Sequence, residues 1–229
     1  MWAARSTGAA QAPRGAAGWR VCIVTAAGLL PGRSHADVTR AAVEGGADAV
    51  QLRAPEVPAD QLPALARLLT EICRPEGVRL LVNDDVGAAV LGGADGAHVG
   101  QSDDPQRARD MLGPEKLLGI SVSSPAEARA AVAAGANYVG VTVWATATKP
   151  EASPVGIEGL RAIAEACAVP IIAIGGISPE RVPQVLAAGA TAVAAVSWVA
   201  ASADPVGATR ALVHAVEEHA ERNPNESDI

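Results

Sequence analysis

The sequence predicts a single-domain α/β protein built as a parallel (β/α)8, or TIM, barrel. Three observations predict it: a recurring Gly-Ala phrase, eight alternations of strand-like and helix-like segments, and polar residues gathered after the strands. The phrase reads Glu44-Gly-Gly-Ala-Asp-Ala-Val-Gln-Leu52, then Gly92-Gly-Ala-Asp-Gly-Ala-His-Val-Gly100. It returns as Ala133-Ala-Gly-Ala-Asn-Tyr-Val-Gly-Val141 and as Ala187-Ala-Gly-Ala-Thr-Ala-Val-Ala-Ala195. Each copy joins an Ala-rich helix end to a Gly and then to a short apolar run. Glycine supplies the left-handed stop of a helix. A short run that is apolar on both faces is a buried parallel strand. Recurrence at roughly 40–55 residues marks a repeated supersecondary unit.

The elements follow in order. Arg20–Thr25 reads as the first strand, and a helical pattern over 35–45 follows Ser34. The first phrase copy supplies the second strand, and a helix spans 59–74. Val78–Asn83 is the third strand, with a helix near 85–91. The second copy gives the fourth strand, and Asp104 opens a helix over 104–112. Leu117–Ser121 is the fifth strand, and Ser124 opens a helix over 124–134. The third copy gives the sixth strand, followed by a helix over 157–167. Pro170–Ile174 is the seventh strand, and Ser178 opens a helix over 178–188. The fourth copy gives the eighth strand, and Asp204 opens a helix over 204–221. Ser and Asp at these openings are helix-capping types. An open doubly wound sheet is the alternative fold. It uses fewer strands and an early glycine-rich phosphate turn, and no such turn follows the first strand.

Composition agrees. A chain of 229 residues suits one barrel. Apolar residues make up 49% but aromatics only 2%, with no Phe, so the core is built from Ala, Val, Leu and Ile. The net charge of −7 argues against a nucleic-acid or anionic-membrane surface. Cys22, Cys73 and Cys167 are far apart and lack CxxC spacing. That disfavours a zinc site or disulfide framework and makes a reducing cytoplasm the expected location. The longest uncharged apolar stretch, Ala190 to Ala203, is too short to span a membrane. Residues 1–18 carry no acid and no continuous apolar core. They read as a disordered leader, with a transit peptide as the alternative. The barrel is expected over 19–221 and a flexible tail over 222–229.

In this fold the active site lies at the C-terminal ends of the strands. Gln51 and Arg53 follow the second strand, and the third ends in Asn83-Asp84-Asp85. The fourth leads through His98 to Gln101 and Asp103, and the fifth to Ser121 and Ser123. The sixth leads to Thr146-Ala-Thr148-Lys149, the seventh to Gly175-Gly176, and the eighth to Val196-Ser197. Asp84 and Asp103, flanked by the amides of Asn83 and Gln101, form an all-oxygen set suited to Mg2+. Arg53 and Lys149 form a clamp for a polyanion. The Gly175-Gly176 turn before a helix offers backbone N–H groups to a phosphate. The arrangement has room for a metal, a pyrophosphate and a second phosphate. Each feature alone has a plainer reading. Asn-Asp-Asp caps a helix, His98 is a satisfied barrel residue, and the Thr loop is solvated. Their convergence on one face favours the functional reading.

With these residues in view, the chain resembles the thiamine phosphate synthases and their relative, the thiazole tautomerase, over about residues 19–220. The matching motifs are Gln51-Leu-Arg53, Val82-Asn-Asp-Asp85, His98-Val-Gly-Gln-Ser-Asp103, Gly119-Ile-Ser121, Thr146-Ala-Thr-Lys149 and Ile174-Gly-Gly-Ile177. The resemblance implies joining a hydroxymethylpyrimidine pyrophosphate to a hydroxyethylthiazole phosphate with release of pyrophosphate. It implies a dissociative, magnesium-assisted step that needs charge neutralisation more than a base. It also implies residue roles. Asp84 and Asp103 would hold Mg2+. Gln51, Arg53, Asn83 and Lys149 would contact pyrophosphate or pyrimidine. Ser121, Thr146 and Thr148 would line the reacting groups, with Ser121, Lys149 and Arg53 catalytic. Gly176, Val196 and Ser197 would hold the thiazole phosphate.

The sequence departs from that pattern in places. Relatives read Arg-Glu-Lys or Arg-Asp-Lys where this chain has Arg53-Ala54-Pro55. One charge-assisted phosphate contact is worth about 1.5–3 kcal/mol, so a synthase about 10–100-fold weaker than usual is expected. Val141-Thr142 replaces a usual Gly-Pro, Trp198 replaces a small residue, and Trp144 flanks the mouth. Ser123 stands where a His is often found, which removes the base a tautomerase would use. Three alternatives stay open beside the synthase: a C–N coupling paralogue with altered substrates, a tautomerase-like isomerase, and a non-catalytic phosphate-binding barrel. The expected partners are phosphorylated small molecules, with no nucleic acid and no membrane. A homo-oligomer is compatible with this reading.

Overall fold

Short runs of Ala, Val, Leu and Ile carry too little polar surface to face water on either side, and they become a closed sheet. The strands are β1 Val21–Val24, β2 Ala49–Leu52, β3 Arg79–Asn83, β4 Gly96–Val99, β5 Leu117–Val122, β6 Tyr138–Thr142, β7 Ile171–Ile174 and β8 Ala192–Ala195. All pair in parallel, in sequence order, and β8 returns to β1 to close the barrel. The computed structural model describes residues 18–148, 150 and 152–223. The expected leader and tail lie outside the described residues, apart from Gly18, Arg222 and Asn223. The expected (β/α)8 barrel is the observed fold.

The helices are α1 His35–Glu44, α2 Leu62–Cys73, α3 Val86–Leu91, α4 Pro105–Leu112, α5 Pro125–Ala133, α6 Gly156–Ala166, α7 Val182–Leu186, α8 Ser197–Ala200 and α9 Pro205–Arg222. Ser34, Asp104, Ser124 and Asp204 cap their helices as expected, each side chain accepting from a first-turn N–H. Ser178 does not. Its hydroxyl donates to the Glu180 carboxylate instead, and Pro179–Arg181 forms a 3-10 turn before α7. Pro183 lacks an N–H and fits only a first turn, so the single helix expected over 178–188 breaks into a turn and a short helix. The helix expected from 59 likewise starts at Leu62, with Pro63 in its first turn. The sequence did not predict α8, whose four residues are too few to show a period. Among the described residues no helix is long and apolar enough to cross a membrane.

Two buried layers result. Outward-facing strand residues such as Val21, Ile23, Val50 and Leu80 pack against the helices. Inward-facing Cys22, Leu81, Leu117, Tyr138 and Ile172 fill the barrel, with Trp19 closing its lower end. Trp19 and Tyr138 meet with ring centroids 5.7 Å apart. The interior has room for Tyr138 and His98 because β5 and β6 offer glycine. A Cβ at Gly119 would lie 2.1 Å from the Tyr138 ring and 2.5 Å from His98 Nδ1. One at Gly140 would lie 2.8 Å from His98 Cε1. These two polar rings form the floor on which the upper face is built.

Candidate active site

The floor is an ordered hydrogen-bond chain. His98 Nδ1 meets the Tyr138 hydroxyl at 3.0 Å, and His98 Nε2 meets Ser121 Oγ at 2.9 Å. Burial pushes the Tyr138 phenol well above its usual range, so it stays protonated, while a bond from the Gln51 side chain opposes that rise. With the phenol protonated, its proton is assigned to the bond with His98 Nδ1. His98 Nε2–H then donates to Ser121, and the Ser121 hydroxyl proton is left for the cavity above. This proton order is assigned from the network. His98 is thus the satisfied barrel residue that was the plainer reading, and it also holds a serine at the site.

Above this floor a cavity opens at the C-terminal ends of the strands. Gln51, Arg53, Asn83, Ser121, Thr146, Thr148, Gly176, Val196 and Ser197 all line it, and so do His98 and Tyr138. The first nine of these, expected from the sequence, share one cavity, and Asp84, Gln101 and Asp103 are not among its lining residues. Lys149, expected to be catalytic, lies outside the described residues.

Arg53 is placed by its backbone. Its N–H donates to Thr25 Oγ1 at 3.2 Å, and the same hydroxyl meets His35 Nδ1 at 2.8 Å. His35 Nε2 in turn meets the Glu56 carboxylate at 2.6 Å. This buried corner ties β1, α1 and the loop after β2 together. Sequence reasoning missed it, and a His at the first position of a helix was its only signal. The loop after β2 thus reaches a carboxylate held by His35. Thr146 Oγ1 and Thr148 Oγ1 lie 3.0 Å apart and keep the loop after β6 folded over the cavity.

Asp84 and Asp103 follow β3 and β4 and are not among the residues that line this cavity. Asp85, not Asp84, caps α3, accepting from the Ala88 N–H at 2.7 Å. The capping reading of Asn-Asp-Asp is therefore carried by Asp85. Asp84 holds φ at +63°, and it is the only described non-glycine residue with positive φ. Such a conformation costs about 1 kcal/mol and concentrates at functional sites. Asp103 accepts from the Gly100 N–H at 2.7 Å, and Asp84 accepts from Asn83 Nδ2 at 2.6 Å. A methyl placed on Gly100 would lie 3.3 Å from Asp103 Oδ2 and 3.9 Å from Asp84 Oδ1, so both carboxylates face one small space. Gln101, expected beside them, turns away. Its amide donates to Ser123 Oγ and to Glu127. Burial alone would raise the Glu127 carboxyl, but donors from Ser123 and Gln101 hold it below the usual range. Among the described residues no three His, Cys, Asp or Glu side chains gather closely enough to hold a metal. Two carboxylates alone suit a cation that keeps most positions for water and phosphate oxygen, which is how Mg2+ binds.

The glycine turn lines the cavity. Gly175 and Gly176 have φ of +89° and +66°. A Cβ at Gly175 would lie 2.6 Å from the Trp144 carbonyl oxygen. Only glycine allows this turn to pass so close to the loop after β6. Val196 and Ser197, at the start of α8, line the same cavity beside the turn.

Comparison with known proteins agrees with this geometry. Residues 21–199 match the family described as thiamine monophosphate synthase. The thiamine-phosphate synthase of Moorella thermoacetica is 45% identical over 85% of this chain and 94% of its own length. That of Chloroflexus aurantiacus is 46% identical over 85% of this chain and 91% of its own. The structure is also similar to thiamine phosphate pyrophosphorylase from Pyrococcus furiosus. The TM-score is 0.80 and the identity 32%, covering 88% of this chain and 96% of that one. A 3-hexulose-6-phosphate synthase from Salmonella typhimurium, at 21% identity and TM-score 0.66, shares the fold alone. With its motifs in order on one face of the barrel and this match along most of its length, the chain belongs to the thiamine monophosphate synthase family.

Proposed function

We propose that the chain is a thiamine phosphate synthase. It joins a hydroxymethylpyrimidine pyrophosphate to a hydroxyethylthiazole phosphate and releases pyrophosphate. The observation that carries this reading is one cavity lined by Arg53, Asn83, Ser121, Thr146 and Thr148 together with the Gly175-Gly176 turn. Asp84 and Asp103 stand close to one another beside Gly100, and Asp84 is next in sequence to Asn83 of that lining.

The reaction breaks the bond between the pyrimidine methylene carbon and the pyrophosphate oxygen, and the bonding electrons leave with pyrophosphate. The thiazole nitrogen then gives its lone pair to that carbon. No proton needs to be removed for the C–N bond to form, so no general base is required. Asp84 and Asp103 would hold Mg2+, which when bound supplies charge neutralisation to the leaving pyrophosphate. Arg53, Lys149 and Asn83 bind the same leaving group. Gln51 and Ser121 orient the pyrimidine end, and Ser121 aims its hydroxyl proton into the cavity. Thr146 and Thr148 line the reacting groups and exclude water. Gly176, Val196 and Ser197 seat the acceptor phosphate.

The tautomerase-like alternative is not favoured, because Ser123 bonds Glu127 where that reading needs a base. The reading places the protein in the cytoplasm and leaves assembly as a homo-oligomer open. Mass spectrometry of a reaction holding both precursors and Mg2+ tests it. Thiamine phosphate is the expected product, and its absence refutes the assignment.

A further inference from the structure

A second, open cleft lies on the outer side of the Gly175-Gly176 turn. Gly176, Ser178, Arg181, Ser197, Trp198 and Ser202 line it. It shares Gly176, Ser197 and Trp198 with the central cavity, so the two spaces meet where the acceptor phosphate is placed. Arg181 is the cation in this cleft. Its guanidinium lies 4.7 Å from the Trp144 ring centroid, and Nη1 donates to the Gly176 carbonyl at 2.8 Å. A Cβ at Gly176 would lie 2.8 Å from the same nitrogen, so the guanidinium is packed directly over the turn. The neighbouring Glu180 carboxylate is turned to the Ser178 hydroxyl at 2.6 Å. A guanidinium has five N–H donors. Stacking on Trp144 occupies its face, and Gly176 takes one donor. The remaining donors are held beside the turn, where phosphate oxygens can accept from them.

We infer that Arg181 is an acceptor-selecting residue: from the outer cleft its guanidinium contacts the phosphate of the acceptor held at the Gly175-Gly176 turn. This rests on the proposed reading of the cavity as a thiazole phosphate site. It adds a cation that neither the motifs nor the glycine turn supplies. Trp144 has a role as well, packing against the guanidinium.

Calorimetric titration in phosphate-free buffer tests the inference without relying on turnover. Hydroxyethylthiazole phosphate and the unphosphorylated thiazole alcohol are each titrated into wild type, Arg181→Ala and Arg181→Lys. Arg181→Ala should weaken phosphate binding by about tenfold or more and leave the alcohol unchanged. Arg181→Lys should recover part of the loss. An unchanged affinity for the phosphate overturns the inference. Equal weakening for both ligands also overturns it, because Arg181 would then only brace the turn. Failure of the wild type to prefer the phosphate overturns it too. If wild type binds the phosphate in an Arg181-dependent way but forms no thiamine phosphate, the inference stands and the proposed reaction falls. Arg181 is exposed, so matching thermal melts are expected for all three proteins.

Discussion

Replacing Tyr138 with Phe removes one oxygen from the barrel floor and should be felt at Ser121. Tyr138 is 1% exposed and fully enclosed by Gly119, His98 and Trp19. Phe keeps the ring, so packing changes little and the loss is polar. His98 Nδ1 loses its bond at 3.0 Å. A buried polar group deprived of a partner costs about 1–3 kcal/mol. For a chain of this size 1 kcal/mol is about 2–4 °C in Tm, so a drop of about 2–12 °C is expected. His98 then no longer has a fixed proton order, and its bond to Ser121 at 2.9 Å loses direction. A loss of about tenfold in kcat follows if that direction is worth about 1.4 kcal/mol in the transition state. The acceptor KM should barely move, since the glycine turn is untouched. Thermal melts and steady-state kinetics on Tyr138→Phe measure both. A variant that melts and turns over like wild type refutes the ordered chain.

Three further outcomes are expected. Gly176→Val forces a side chain into φ +66° and toward Arg181 Nη1 at 2.8 Å; KM for the phosphorylated acceptor should rise more than KM for the pyrophosphate donor, and equal changes would count against the turn as the acceptor site. Asp84→Gly relieves the positive φ and should raise unfolding free energy by about 1 kcal/mol while cutting turnover about 10^2-fold or more; a destabilised variant in urea melts would show that the conformation carries no strain. Burial pushes the Cys22 and Cys73 thiols from 9.0 up to about 12, with Asp48 and Asp95 adding to the respective rises. Thiols raised in the folded state favour folding fully below pH 9, and that stability is lost as pH rises from 9 toward 12. Urea midpoints at pH 8 and pH 10 should fall less for Cys22→Ala than for wild type, and identical slopes would contradict the burial effect.

The barrel was legible because its repeat is local. Each Gly-Ala phrase encodes a helix stop and a strand start, and these signals need no tertiary context. The carboxylate positions after β3 and β4 were legible for a similar reason, since Asn83-Asp84-Asp85 and Gln101-Ser-Asp103 stand directly after strands. Which aspartate caps α3 was not, because φ at Asp84 depends on how β3 and β4 end together. Gln101 was misplaced because Glu127, 26 residues away in sequence, captures its amide. The Tyr138 relay was hidden inside a strand motif that reads as plain core. The one signal was that this is the only Tyr in a chain with almost no aromatics. Arg181 was hidden by the expectation of an intact helix over 178–188, which would have made it one more exposed helix residue. The turn formed by Pro179–Arg181 is what brings it over Trp144.

The most direct measurement is pyrophosphate release by wild type and Asp103→Asn, with both precursors, in Mg2+ and in excess EDTA. The account predicts one pyrophosphate per thiamine phosphate in Mg2+, loss of release in EDTA, and a fall of about 10^2-fold or more for Asp103→Asn. Release that persists in EDTA and in Asp103→Asn would contradict a metal-held leaving group between Asp84 and Asp103.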